Sequence, residues 1–159
     1  MLHFLLRLIP LAGLMFAAAC STTPEPQPQQ GRFEIETMAE QGEEQILPDQ
    51  STSPTVLALL DSAQAAAQSG ELHNAEAQLE RALRIEPRNP VLWHYMAKLR
   101  LHQNRLPEAA GLAAKSNTLA GQNRALRADN WRIIAHAKQQ QGDEAGAYAA
   151  QRKVDSLSK

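Results

Sequence analysis

The chain has 159 residues, a formal net charge of −1, one cysteine and seven aromatic residues. That length accommodates one modest domain with appendages, and a single cysteine excludes an internal disulfide and a multi-cysteine zinc site. Near-neutrality leaves no electrostatic footprint of a nucleic-acid binder, and 27 alanines beside few aromatics favour close-packed helices over a β-sandwich.

Residues 1–19 have the layout of a secretory signal. A short leader carries Arg7, an apolar stretch from Leu8 to Phe16 is broken only by Pro10 and Gly13, and Ala17, Ala18 and Ala19 precede Cys20. The apolar run is too short for a permanent membrane span. One reading is an ordinary signal with an unrelated cysteine. The three small residues followed by Cys also resemble the bacterial lipobox, with Ala17 where Leu is usual. That resemblance implies cleavage before Cys20 and its lipidation, and several acyl chains anchor stably where one does not. Ser21 in place of Asp then implies the outer membrane, with the chain facing the periplasm.

Residues 20–55 read as the lipidated Cys followed by a disordered tether. The stretch STTPEPQPQQ is rich in Pro and Gln, and acids follow at Glu34, Glu36, Glu40, Glu43, Glu44 and Asp49. Such a segment buries too little apolar surface to offset its ordering entropy. As a relaxed coil it spans roughly 30–35 Å, and about 115 Å when fully extended. Phe33, Ile35 and Met38 interrupt the polar run, either as stray apolar residues or as a short motif that binds a partner or docks back on the domain.

From residue 56 the pattern is helical and repeats. Leu59, Ala63, Gly70, Leu72 and Ala75 recur 34 residues later as Trp93, Ala97, Asn104, Leu106 and Ala109. A third copy follows at an interval of 38, with Trp131, Ala135, Gly142 and Ala147, the extra turn falling near residues 117–127. Fixed-period self-similarity is the signature of a repeat array. Each copy holds two helices. Ser53 and Pro54 open the first, which stops at Gly70. Residues 74–85 form the second, ended by Pro87, and Pro107 sits in the first turn of the fourth. Small residues at Ala63, Ala75 and Ala82 let paired helices approach, Leu59, Leu79 and Leu83 fill the gaps, and both tryptophans are expected in the core.

This spacing resembles the tetratricopeptide repeat, over residues 56–154. Ser116 and Gly121 stand where Ala and Pro are usual, and Gln151 stands at an apolar position. The resemblance implies an all-α fold of about three helical hairpins, a domain at residues 56–159, and a concave groove lined by the first helix of each pair. Groove candidates are Leu57, Leu60, Gln64 and Gln68, then His94, Lys98, Leu101 and His102, then Arg132, His136 and Gln140. One end is apolar and the rest polar to basic, a surface suited to an acidic or carboxylate-bearing peptide.

No catalytic residue, cofactor or metal site is expected. Phosphate-binding, zinc-protease and serine-hydrolase motifs are absent, and His94 and His102 lie about two helical turns apart, too far to share a metal. Lipid anchor, acidic leash and short repeat domain resemble the outer-membrane lipoproteins that activate bifunctional peptidoglycan synthases. That implies an adaptor whose partner is a periplasmic penicillin-binding protein. Two other expectations stay open, an assembly factor (pilotin) for a type IV pilus or secretion complex and an adaptor for a periplasmic protease. The charge divides unevenly: one basic and seven acidic residues in 21–55, but 14 basic and 10 acidic in 56–159.

Overall fold

The computed structural model describes Ile46 and residues 51–158; the expected signal, Cys20 and most of the tether lie outside the described residues. Six helices follow one another: α1 (Pro54–Gln68), α2 (Leu72–Ile85), α3 (Pro90–His102), α4 (Leu106–Leu119), α5 (Arg124–Gln140) and α6 (Glu144–Leu157). They pair as hairpins α1–α2, α3–α4 and α5–α6. α2 packs on α3, α4 on α5, and α3 on α5. The fold is all-α, in three helical hairpins.

The repeat seen in the sequence is a repeat of helix stops. α1, α3 and α5 each end in a left-handed residue, Gly70 (φ +78°), Asn104 (φ +57°) and Gly142 (φ +76°). In each case the next residue's N–H reaches back five positions: Glu71 to Ala66 at 2.8 Å, Arg105 to Arg100 at 2.8 Å, Asp143 to Lys138 at 2.9 Å. This is the Schellman closure, which satisfies orphan carbonyls and reverses the chain into the second helix. Glycine takes the left-handed conformation without steric cost, and Asn104 is one of the few side chains that tolerates it.

The helix starts are equally local. Ser53 Oγ, Asn89 Oδ1 and Asn123 Oδ1 accept from Val56, Val91 and Leu126 backbone N–H groups. Asp143 does the same for Gly146. α5 is 17 residues long against 15 for α1 and 13 for α3, so the inserted turn extends its N-terminal end. That end caps the array: the Arg124 guanidinium donates to the Leu157 carbonyl at 2.9 and 3.3 Å.

Two apolar clusters lie between the hairpins. The first joins Val56, Leu60, Ala63, Leu79, Ala82, Leu92, Met96 and Leu126; the second joins Ala97, Ala109, Ala113, Ile133, Ile134 and Ala150. Alanines at the crossings are almost wholly buried and admit close helix approach. Trp131 packs on the second cluster as expected. α6 buries only Ala150 and Val154, and Gln151 faces solvent.

The folded body begins before residue 56. Thr52 is buried, its Oγ1 accepts from Asn89 Nδ2 at 3.1 Å, and the Ser53 N–H donates to Glu86 Oε1 at 2.8 Å. Ile46 packs half-buried against the first cluster. The last part of the expected tether is therefore seated on the α2–α3 turn.

Candidate functional site

The expected groove residues separate into three groups. Lys98 and His102 lie half-buried on one face of α3, four residues apart. Arg132, His136 and Gln140 lie along α5, with Arg132 and Gln140 exposed and the His136 ring 2.6 Å from the Gln140 amide. α3 and α5 pack together, so these two sets border one another. Gln64, Gln68 and Leu57 are half-buried or exposed on α1, which packs mainly on α2 and has no extensive contact with α5 among the described residues. Leu101 is half-buried against the second cluster.

Two candidates point inward. Leu60 is 2% exposed and His94 is 1% exposed, so neither side chain reaches a surface partner in this conformation. Leu60 sits in a run of Val56, Leu57, Leu59 and Leu60, where apolar residues cover several helix faces and periodicity does not choose among them. His94 is drawn in by partners contributed 35 and 36 residues later.

Those partners form a buried polar network. His94 Nδ1 meets Asn130 Oδ1 at 2.9 Å and His94 Nε2 meets Asp129 Oδ2 at 3.2 Å. Asn130 Nδ2 donates to Ser116 Oγ at 2.7 Å and to Asn117 Oδ1 at 3.1 Å, and the Ser116 hydroxyl donates to the Pro90 carbonyl at 2.8 Å. Ser116, which departs from the usual repeat pattern, is thus the link between α3, α4 and α5. The serine faces Asn130 rather than the imidazole, and His94, Ser116, Asp129 and Asn130 are all buried, so this is no nucleophilic triad but an internal brace.

Burial pushes the His94 pKa below its ordinary 6.5 against the opposing pull of Asp129 and Asn130, and half-buried His102 shifts the same way beside Lys98. A base with a depressed native pKa stabilises the fold above its ordinary pKa and loses that contribution as pH falls. Stability is expected to decline from pH 7.5 to pH 5. The gap between the wild type and His94→Gln should narrow over that range in urea titrations; a constant gap would show that His94 does not titrate with unfolding.

A second surface was not foreseen. A groove of about 770 Å³ opens where α2, α3 and α4 meet, its apolar lining made by Leu83, Pro87, Trp93, Met96 and Leu112. Trp93 lines this groove instead of being wholly enclosed. Its Nε1–H donates to the Pro87 carbonyl at 2.8 Å, and Lys115 Nζ lies 4.0 Å from its ring centroid. Arg100 stands at the groove, its guanidinium bonded to Glu76 at 2.5 Å and Gln103 at 2.7 Å. Arg100 holds the Glu76 carboxyl down to about 2. The Arg100 Nε–H makes no hydrogen bond, with Glu108 Oε2 at 3.5 Å. The sequence offered one usable sign of this groove, Pro87 and a tryptophan six residues apart at a repeat junction.

Among the described residues, no cluster of three His, Cys, Asp or Glu side chains is placed to hold a metal ion, and no helix is long and apolar enough to cross a membrane. The tetratricopeptide repeat family profile matches residues 56–99, which span α1, α2 and most of α3. The globular C-terminal domain of P. aeruginosa LpoP aligns at 41% identity with a TM-score of 0.63, covering 65% of this chain and 97% of that one. The N-terminal domain of stress-induced protein-1 (STI-1) from C. elegans aligns at 20% identity with a TM-score of 0.55, covering 65% of this chain and 94% of that one, a likeness of fold alone. No curated protein matches the chain at a significant level.

Proposed function

Because the chain belongs to the LpoP family of tetratricopeptide-repeat proteins, we propose that it is a lipid-anchored periplasmic adaptor that binds and activates a bifunctional penicillin-binding protein. The repeat fold serves protein–protein interaction, and the described residues offer binding faces without a reactive centre. The observation that carries the reading is 41% identity across nearly the whole LpoP domain, together with the sequence's resemblance to activators of peptidoglycan synthases. The α3–α5 face, with Lys98, His102, Arg132 and His136, is the surface best suited to an acidic partner segment.

In this reading the 1–19 segment is a signal and Cys20 carries the anchor, placing the domain on the periplasmic side of the outer membrane. The tether then lets the domain reach a partner at a distance. The chain from Ser21 onward, added without lipid to a purified synthase, is expected to bind it and raise glycan polymerisation. Unchanged polymerisation at saturating adaptor would overturn the proposal. Cys20→Ala is expected to move the protein from the membrane to the soluble fraction; normal membrane fractionation of that variant would refute the anchor.

A further inference from the structure

The groove between α2, α3 and α4 is apolar on its floor and charged on its rim, and its charges are unevenly committed. Glu108 is held by Arg105 in a paired contact at 2.7 Å. Among the described residues Arg84 makes no ion pair and Lys115 engages only the Trp93 ring, whereas Arg100 is committed to Glu76, Gln103 and Glu108. Glu80, exposed at the groove, adds a coulombic pull on Arg100. Such a groove fits a short peptide that alternates apolar side chains with carboxylates.

We propose that residues 33–40 of this chain, FEIETMAE, dock in this groove. The segment carries Phe33, Ile35 and Met38 among Glu34, Glu36 and Glu40, with no base of its own. In extended form, Phe33 and Ile35 share one face and Glu34 and Glu36 the other. The apolar face suits the Trp93, Leu83 and Leu112 floor, and the carboxylates suit Arg84 and Lys115.

The chain's point of entry favours this occupant over any other. Ser53 and Thr52 are bonded to Glu86 and Asn89, in the same α2–α3 turn whose Pro87 forms a wall of the groove. From Glu40 to Ile46, which already packs on the first cluster, is six residues, enough for about 20 Å. Two packed helices are only ~20 Å across. A tether of that length supplies an effective concentration on the order of millimolar, so even a weak contact is populated before a second copy or a foreign peptide competes. Docking also removes from water an apolar surface that would otherwise stay exposed. This inference stands apart from the synthase reading, because it concerns a different face and needs no partner.

The test places the photo-crosslinker p-benzoylphenylalanine at Gly111 in the otherwise complete chain. Gly111 lines the groove, is exposed, and an added Cβ there meets nothing within 4 Å. Irradiation of the purified protein should give a monomeric product crosslinked to residues 33–40, at a yield independent of dilution. The yield should fall several-fold in about 0.5 M salt, where exposed charges are screened. It should vanish when Phe33→Ser, Ile35→Ser and Met38→Ser are combined, with the helical circular dichroism of the repeat body unchanged. A dimeric product would assign the groove to a second copy and overturn the proposal. So would no crosslink, or a yield unchanged by the triple substitution.

Discussion

Asn130→Ala is expected to cost the domain about 3 kcal/mol and to lower its Tm by roughly 10–20 °C. Asn130 is completely buried and joins His94 on α3 to Ser116 and Asn117 on α4, from its own place on α5. Truncation leaves the imidazole, the serine hydroxyl and the Asn117 amide without their shared partner, where water cannot replace it. It also opens a cavity between three helices. Chemical denaturation measures the effect directly. A loss under 1 kcal/mol would mean that the network fills space without bracing the hairpins.

Removing two cations of the α3–α5 face, half-buried Lys98 and exposed Arg132, by Lys98→Ala with Arg132→Ala is expected to weaken binding to the proposed synthase about tenfold while leaving the fold intact. The two side chains flank the place where α3 meets α5. Lys98 is one turn from His94 on α3, and Arg132 Nη1 lies 3.5 Å from Asp129 Oδ1. Arg132 is about half exposed in that pair, so the pair itself adds little stability. Affinity should be measured at two salt concentrations, since the wild-type contact is expected to weaken with ionic strength and the double variant to respond less. Undiminished affinity would show that the partner uses another face, and the α2–α4 groove would be the next surface to probe.

Much of the fold was legible because its determinants are local. Gly70, Asn104 and Gly142 mark the stops of α1, α3 and α5, and Ser53 with Pro54 marks the first start. The second helix begins at Leu72, two residues ahead of the expected Asn74, because the Gly70 closure delivers the chain directly into it. Site residues were less legible. His94 looked like a groove residue because its burial depends on Asp129 and Asn130, which no feature of α3 announces. Trp93 looked like core because a large aromatic at a repeat position usually is, yet the turn at Pro87 and the neighbouring Lys115 leave it lining a groove.

The sequence by itself determined the number of hairpins, their order and their capping, because helix periodicity, caps and left-handed stops act within a few residues. It also set the charge division between an acidic N-terminal segment and a basic domain. Only the tertiary structure decided which polar side chains are internal and where the open groove lies. Those outcomes depend on side chains from three helices meeting at once, and their free energies are set by burial and hydrogen-bond partners that the linear chain does not place together.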